Sequence, residues 1–386
     1  MPDGRDGLTI RCMRGIGAIS AEAWNACAGE DNPFCTHAFL SAMEHSGSAT
    51  PASGWSPRHL VAESPDGHLL ACAPLYVKSH SYGEYVFDWS WADAWHKAGG
   101  HYYPKLQCAV PFTPATGPRL LIHPDWRGQG LENALADAMA RLVEQAGLSS
   151  AHVTFSTQAE AETLSARGWL LRTGEQYHWT NAGYGTFDDF LAALSSRKRK
   201  SIRKERERAA ELDVRIHTLS GDALRPEHWD AFYRFYRDTT DKKWGNAYLT
   251  RDFFNRLGET MADKIVLIMA KQDGRWVAGA LNLLGKDTLY GRNWGSDGAF
   301  RYLHFEMCYY RAIDFAIAHG LQRVEAGAQG EHKISRGYMP VATWSAHWIA
   351  DPSFRRAVAR FLDDERRLVA ENIRELSEAG PYRCSD

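Results

Sequence analysis

The chain has 386 residues, 44% of them hydrophobic and 24% charged, which is the composition of an ordinary globular protein long enough for two or three domains. A formal net charge of −2 excludes nucleic-acid binding driven by overall charge, so such binding would need a local basic patch. No apolar run approaches the roughly 18 residues that span a bilayer, and the N-terminal residues lack the apolar core of a signal peptide. Seven scattered cysteines without CxxC spacing favour reduced thiols and argue against a cysteine-based zinc site. We therefore expect a cytoplasmic protein without an integral membrane segment.

The first half of the chain predicts a β-hairpin, a further strand and a helix. Two apolar runs, 59–62 and 69–77, flank an SPDG turn, which is the pattern of two paired strands. The aromatic run 82–91 also predicts a strand. Residues 92–118 are rich in Gly, Pro and aromatic side chains and predict a long functional loop. The amphipathic segment Leu131–Gln145 predicts a helix that ends at a glycine.

A strongly basic segment, 195–211, follows in the middle of the chain. Between Arg197 and Arg208 there are eight basic residues and two acidic ones. A helix of this kind could contact tRNA or other phosphates through its charge. Alternatively it is a solvated linking helix, stabilised by pairs four residues apart such as Arg203 with Glu207.

The order of predicted elements occurs twice, which indicates a duplication. The hairpin 58–77 has a counterpart at 264–284, and each is followed by an aromatic strand, an amphipathic helix with a Gly-Leu stop, and a final strand. Helices mixed with antiparallel and crossover strands predict an α/β (α+β) class with mixed sheets flanked by helices. We predict a first domain over 1–180, a basic helical connector over 181–220, and a second domain with the active site over 221–386.

The second copy ends in a polar, glycine-bearing loop, 325–347, which has no counterpart of similar composition in the first half. Glu331 or His332 could take the proton of an attacking amine, and Lys333 could hold a carboxylate or phosphate. The neighbouring glycines could supply N–H groups for an oxyanion. We predict that Glu331, His332 and Lys333 are the catalytic residues. The alternative is a surface loop whose charges form local ion pairs.

Further polar and aromatic residues of the second half are predicted to bind the substrate. Glu306 lies in an amphipathic segment, and if it faced inwards it would need a partner such as Arg292 or Lys333. Trp244 stands beside two lysines and is a candidate cleft residue, although tryptophans are more often core residues. The predicted substrate-binding residues are Arg292, Trp294, Glu306, Gln329, Arg336, Tyr338, His347 and Trp244.

Residues 123–148, HPDWRGQGLENALADAMARLVEQAGL, resemble the acetyl-coenzyme A-binding motif of GNAT acyltransferases. In that family an Arg/Gln-x-x-Gly-x-Gly/Ala loop holds a pyrophosphate with its N–H groups at the positive end of a helix. Glu132 departs from the motif, because its carboxylate stands where a small residue is expected and would repel a pyrophosphate. The resemblance implies a cofactor-binding loop made of Arg127, Gly128, Gln129 and Gly130.

Four longer motifs are KWGNAYLT (243–250), LYGRNWG (289–295), LHFEMCYY (303–310) and GAQGEHKISRGYMPVATWSAHW (327–348). On these motifs the chain, from about residue 32 to residue 381, resembles the FemAB-like family of N-acyltransferases. The resemblance implies two tandem GNAT-like domains. It also implies the transfer of an amino acid from aminoacyl-tRNA to an amine on a cell-wall precursor.

The sequence and the resemblance together predict an N-acyltransferase that moves an acyl or aminoacyl group to a small-molecule or peptide amine. The donor would be acyl-coenzyme A or aminoacyl-tRNA as a co-substrate, with no tightly bound cofactor and no metal, and tRNA could bind through Arg197–Arg208. The alternatives are a non-catalytic GNAT-fold module for a cell-wall or amine-containing ligand, and a tRNA-binding protein. The sequence does not indicate an oligomeric state.

Overall fold

The computed structural model describes residues 7–243, 247–327 and 330–383. The chain forms two compact units. Unit 1 consists of Met1–Gly174 and Ala342–Ala370, and unit 2 consists of Glu175–Val341 and Glu371–Asp386. Among the described residues, no helix combines the length and the apolar character needed to cross a bilayer.

The strands are numbered in chain order. They are β1 (Thr9–Met13), β2 (Trp55–Pro57), β3 (His59–Glu63), β4 (Leu69–Ala73), β5 (Leu75–Lys78), β6 (Lys105–Cys108), β7 (Leu121–Ile122), β8 (Ser150–Ser156), β9 (Leu170–Thr180), β10 (Arg215–Leu219), β11 (Ile265–Gln272), β12 (Arg275–Leu284), β13 (Thr288–Ser296), β14 (Arg323–Glu325) and β15 (Met339–Ile349).

The α-helices are numbered in the same way. They are α1 (Ala21–Ala28), α2 (His37–His45), α3 (Trp89–Lys97), α4 (Leu131–Gln145), α5 (Gln158–Ala166), α6 (Phe187–Ala193), α7 (Ser196–Ala210), α8 (Pro226–Lys243), α9 (Arg251–Thr260), α10 (Leu303–Phe305), α11 (Arg311–Ala318) and α12 (Pro352–Glu378). A π-helical turn, Glu306–Tyr310, joins α10 to α11. Two short 3-10 helices lie near the candidate sites. They are Pro124–Trp126 and Glu331–Arg336, and the second is called the 331–336 turn.

Unit 1 is built around a parallel strand pair. Its strands form the antiparallel sheet β1-β3-β4-β7 and the series β15-β8-β6-β5-β2, in which β6 and β8 are parallel. Parallel neighbours need a crossover connection, and α4 supplies it. The buried face of α4, which includes Leu131, Leu135 and Met139, has the spacing of one helix side and packs into the apolar core of this unit.

Two expectations for the first half are wrong. The run 82–91 is not a strand, because helix α3 begins at Trp89. The expected loop 92–118 contains most of α3 and the strand β6. The reason lies in tertiary packing: Trp91 and Trp95 are four residues apart, so a helix presents both to one side, where Trp95 stacks on Phe354 with 4.7 Å between ring centroids. Strand propensity of aromatic residues is overridden by this packing.

Unit 2 repeats the arrangement with the strand order β10-β11-β12-β13-β14-β9. The hairpin β11–β12 turns at Asp273 and Gly274, whose φ angles of 47° and 78° are those of a two-residue hairpin loop. Strands β13 and β14 are parallel, and the helical segment 303–318 connects them. Gly295 on β13 lets α8 approach, because a Cβ there would lie 2.2 Å from the carbonyl oxygen of Phe235.

The mixed α/β class and the duplicated order of hairpin, helix and final strand are thus confirmed. The compact units differ from the predicted partition in two places. Residues 181–220 belong to unit 2, since Phe190, Leu194 and Ile202 are buried in its core. Residues 342–370 group with unit 1. As domain boundaries, the predicted positions 180 and 220 stay predictions.

A buried ion cluster stabilises unit 1 beside β6. Lys105 is fully buried, and its ammonium donates to Glu84 (2.7 Å), to Ser81 (2.8 Å) and to Asp88. Burial alone would lower the pKa of Lys105, but the two carboxylates outweigh it and hold the pKa above its ordinary value. This lysine is therefore charged and structural.

Lys105→Met should unfold unit 1 at markedly lower denaturant concentration. The change removes the cation that contacts both Glu84 and Asp88 and leaves Glu84 with Lys78 at 3.9 Å, which costs about 3–5 kcal/mol. Chemical denaturation followed by fluorescence measures the loss. The matched control is Lys97→Met, which removes an exposed ion pair with Asp93 and should leave stability unchanged. Equal stability of the Lys105 variant and wild type would contradict a structural role for the cluster.

Candidate functional site

The parallel ladder of unit 2 ends abruptly. Only Thr288, Leu289 and Tyr290 of β13 pair with β14, at Arg323, Val324 and Glu325, whereas β13 itself runs on to Ser296. On its other side β13 carries a bulge against β12, and Arg292 is the extra residue. Arg292 and Trp294 are half-buried in the part of β13 that has passed the end of β14. Strand ends and bulges of this kind often position functional side chains.

A buried histidine and carboxylate lie at the end of this ladder. Glu325 is the last residue of β14, and it pairs in register with His178 of β9. The carboxylate lies 3.8 Å from His178 Nε2 and 3.6 Å from Arg323 Nε. Burial lowers the pKa of His178 to about 3, so this imidazole is neutral. The sequence reasoning did not single out His178, because it lies far away in sequence on β9.

Lys333 is the most unusual group of the 331–336 turn. It is 2% exposed, and within the part of the chain that the structure describes its ammonium has one hydrogen-bond partner, the carbonyl oxygen of Gly327 at 2.9 Å. Burial lowers the pKa of Lys333 to about 8. A sizeable fraction of this amine is therefore unprotonated near neutral pH, and it can accept a proton.

His332 stands next to Lys333 and contacts a tyrosine of the π-helical turn. Its Nε2 lies 3.0 Å from the hydroxyl of Tyr309. Burial, followed by the charges of Arg336 and Lys333, lowers the pKa of His332, which favours the neutral imidazole. Burial also raises the pKa of Tyr309, so its hydroxyl stays protonated. The pair offers a neutral imidazole and a phenolic O–H that can act together as hydrogen-bond donors.

A series of ring contacts connects this pair with β13. Trp294 lies 5.3 Å from the ring of His304, and His304 lies 5.4 Å from Tyr309. Phe305 lies 6.1 Å from His332. The structure thus places Trp294, His332 and Lys333 in one region of unit 2. It adds His304 and Tyr309, which the sequence reasoning had not selected as site residues.

Glu306 faces inwards, but its partners are not the predicted ones. It is 4% exposed, and its carboxylate accepts from Arg206 at 3.1 and 3.2 Å and from Arg311 at 2.9 Å. Neither Arg292 nor Lys333 is its partner in these contacts. Arg206 belongs to the basic helix α7 and also binds Asp314 at 2.7 Å. A substrate-binding role of Glu306 stays a prediction.

Arg336 and Tyr338 also make internal contacts. Arg336 donates through Nη2 to Glu205 at 2.8 Å and through Nη1 to the carbonyl oxygen of His332 at 2.7 Å. The hydroxyl of Tyr338 is buried and donates to the carbonyl oxygen of Tyr309 at 3.3 Å. Both side chains shape the turn, and their predicted contact with substrate stays a prediction.

The remaining predicted site residues of the second half are spread more widely. Glu331 is exposed in the first position of the 331–336 turn. The expectation that 325–347 is one continuous loop is wrong, because strand β15 begins at Met339 and includes the last nine residues of that range. His347 lies on β15 within unit 1, where its Nδ1 is 2.7 Å from Nδ1 of buried His152. Trp244 and Gln329 lie outside the described residues.

The predicted cofactor loop is an exposed turn of unit 1. Gly128 and Gly130 adopt φ angles of 75° and 76°, which favour glycine, and Gly130 caps the N-terminus of α4. Gln129 donates to the carbonyl oxygen of Asp125 at 3.3 Å, and Arg127 is exposed. A groove of about 740 Å³ adjoins the preceding 3-10 helix, and it is lined by the carboxylates of Glu22, Asp66 and Asp125. These charges and Glu132 disfavour a pyrophosphate, so the cofactor role of 127–130 stays a prediction.

Lys333→Met should stabilise the fold. Below pH 8 the folded chain holds a desolvated ammonium, whose one hydrogen-bond partner among the described residues is the carbonyl oxygen of Gly327. Methionine should therefore raise the free energy of unfolding by roughly 1–3 kcal/mol. Between pH 8 and pH 10.5 the unfolded chain keeps a proton that the folded chain has released, so the wild type should approach the variant as pH rises. Urea denaturation at several pH values measures both effects, and exposed Lys200→Met is the control. A Lys333→Met variant that is less stable than wild type at pH 7 would contradict the conclusion that the buried ammonium of Lys333 destabilises the fold.

The fold is similar to that of several solved structures. The crystal structure of FemX matches with a TM-score of 0.54 at 11% identity, over 88% of this chain and 98% of FemX. The C-terminal domain of a putative lysylphosphatidylglycerol synthetase from Agrobacterium fabrum matches with a TM-score of 0.51 at 10% identity, over 89% of this chain and 95% of that domain. A tandem GNAT protein from the clavulanic acid biosynthesis pathway matches with a TM-score of 0.47 at 12% identity, over 89% and 99%.

At such identities the similarity concerns the fold alone. Among the curated proteins no significant match was found. The model of the FemAB-like family, described as peptidoglycan biosynthesis/recognition, matches residues 15–384, which is nearly the whole chain. The chain therefore belongs to the FemAB-like family.

Proposed function

We propose that the protein is an N-acyltransferase, which moves an acyl or aminoacyl group from an activated ester or thioester to an amine. The observation that carries the proposal is the buried amine of Lys333, with a pKa near 8, beside His332 in the 331–336 turn. Family membership and the similarity to FemX support this class of reaction. A group that can take a proton at neutral pH is what this attack requires, because a neutral amine must lose a proton as the C–N bond forms.

Each step of the proposed reaction has a candidate residue. The acceptor nitrogen attacks the acyl carbon, and the new C–N bond forms as the nitrogen loses a proton to neutral Lys333. A neutral His332 can donate Nε2–H to the hydroxyl oxygen of Tyr309, which leaves the tyrosine O–H to donate to the oxyanion of the intermediate. The bond to the leaving oxygen or sulfur then breaks, and Lys333 returns the proton to it. Arg292 and Trp294, on β13 beyond the end of β14, are proposed to bind the donor.

The nature of the donor is open between two classes. The outer face of α7 exposes Arg197, Lys200, Arg203 and Lys204, and this stripe supports a phosphodiester such as that of aminoacyl-tRNA. The turn 127–130 of unit 1 is the candidate for acyl-coenzyme A, although Glu132 and the acidic groove beside the preceding 3-10 helix disfavour a pyrophosphate. The acceptor is proposed to be a small-molecule or peptide amine, and the family description supports a peptidoglycan precursor.

Removal of the proposed catalytic groups should lower turnover without unfolding the chain. Lys333→Ala and His332→Ala should each lower kcat about 100-fold, since general base and oxyanion contributions are of this order. Glu331→Ala should have a smaller effect, because the proposed steps assign neither the proton transfer nor the oxyanion contact to this side chain. The wild-type kcat should rise with pH and level off above pH 8, as Lys333 loses its proton.

These rates are measured by mass spectrometry of the acylated amine, in a screen of amines with both donor classes. Glu259→Ala, exposed on α9, is the control and should retain full activity. Full activity of all three site variants would disprove the site. Binding of an amine without product, under every donor, would favour the non-catalytic module.

Thermal unfolding with each donor should identify the donor class. A ligand at 100 times its dissociation constant stabilises the native state by about 2.7 kcal/mol, which raises the melting temperature measurably. If aminoacyl-tRNA is the donor, its effect should fall steeply with salt and with charge reversal at Lys200 and Lys204. If acyl-coenzyme A is the donor, Arg127→Glu should remove its effect instead. No shift with either compound would count against both classes.

A further inference from the structure

The basic helix α7 presents an ionic face to the candidate site as well as a basic face to solvent. Ile202, Glu205, Arg206 and Ala209 follow the spacing of one helix side, and they are the residues turned towards the interior of unit 2. Glu205 and Arg206 both form ion pairs on this inner side of the helix. Each of them binds a different element of the site: Glu205 binds the 331–336 turn and Arg206 binds the π-helical turn.

The contact between Glu205 and Arg336 has the geometry of a strong ion pair. Two parallel hydrogen bonds, 2.8 Å from Nη2 and 3.1 Å from Nε, join the guanidinium to the two carboxylate oxygens. Both side chains are largely shielded from solvent, so the interaction is weakly screened. Tyr310 of the π-helical turn donates its hydroxyl to the same carboxylate. The guanidinium also lies 3.5 Å from the ring centre of Phe305.

The other end of Arg336 holds the backbone of the candidate site. Its Nη1 donates to the carbonyl oxygen of His332 at 2.7 Å. Two adjacent tyrosines of the π-helical turn also contact this arrangement. Tyr309 contacts the His332 imidazole directly, and Tyr310 contacts Glu205, the carboxylate that binds Arg336. With these bonds made, most of the donors of Arg336 are used inside the protein.

We infer that Glu205 is a positioning residue of the proposed acyltransferase site. Its carboxylate fixes Arg336, Arg336 fixes the carbonyl of His332, and the imidazole of His332 is thereby held against Tyr309. The inference rests on the proposed function for its kinetic consequence, but its structural consequence can be tested without any substrate. It also assigns Arg336 to positioning, in place of direct contact with the substrate.

The test compares Glu205→Gln with Glu207→Gln in the full chain. Glutamine at 205 keeps the size of the side chain and one acceptor but removes the charge and the paired geometry, so the fold should persist. Glu207 is exposed two residues further on in the same helix and is the matched control. Hydrogen exchange is followed at the amides of Lys333, Gly337 and Tyr338, whose hydrogen bonds close the 331–336 turn.

We expect these three amides to exchange at least tenfold faster in Glu205→Gln, with the strands β11 and β12 unchanged and the control like wild type. The imidazole ¹⁵N resonances of His332 should shift, whereas those of exposed His319 should not. Unchanged exchange and unchanged His332 resonances would overturn the inference. A uniform increase across β11 and β12 would also overturn it, because that pattern means loss of global stability only.

Kinetic measurements on Glu205→Gln distinguish a role in positioning His332 for the reaction from a role in stabilising the turn alone. With a productive donor and acceptor, Glu205→Gln should lower kcat at least tenfold and leave KM within about twofold. An unchanged kcat despite faster exchange would overturn the positioning role. If no donor and acceptor give product in wild type, the proposed function fails, and the exchange and resonance data still decide whether Glu205 orders the turn that carries His332.

Discussion

Parallel strand pairing is the constraint on which the rest of this structure depends. Two parallel neighbours cannot be joined by a tight turn, so each unit needs a helical crossover over its sheet. In unit 1 the pair β6–β8 is crossed by α4, and in unit 2 the pair β13–β14 is crossed by the segment 303–318. Because β14 is only three residues long, the crossover returns to a ladder that ends at once. The candidate site lies where that ladder ends.

Elements that depend on interactions between residues close in sequence could be predicted, whereas elements that depend on contacts between distant residues could not. Local signals were sufficient for α4 and for the hairpin β11–β12. They failed at 82–97, where aromatic composition suggested a strand and packing against Phe354 produced a helix. They failed again at 339–347, since pairing of β15 with β8 is a contact far along the chain.

The sequence selected some residues of the candidate site but not the residues that surround them. It singled out His332 and Lys333 because an imidazole and an amine in a glycine-bearing stretch are chemically distinctive, and their catalytic role stays a prediction. Glu205, His304 and Tyr309 were missed, because their relevance depends on which faces of α7 and of the segment 303–318 turn inwards. A sequence signal did exist for α7: an acidic residue within a basic run, three residues after an apolar one and thus on the same helix side, indicates an ionic inner face.

Three lysines are buried in the part of the chain that the structure describes: Lys78 and Lys105 in unit 1 and Lys333 in unit 2. Lys105 and Lys333 differ in the charged groups around them. Lys105 in unit 1 is surrounded by two carboxylates, and they raise its pKa against the effect of burial, so it is a fixed cation. Lys333 in unit 2 has only a carbonyl oxygen as its partner in the described chain, and burial lowers its pKa to about 8. The first arrangement stabilises the fold and is chemically inert. The second destabilises the fold and leaves an amine that can exchange a proton at neutral pH. Burial also lowers the pKa of Lys78 in unit 1, to about 7, so a buried lysine with a lowered pKa does not by itself indicate catalysis. What distinguishes Lys333 is its position beside His332 in the 331–336 turn, and the proposed proton transfer rests on that position together with its pKa.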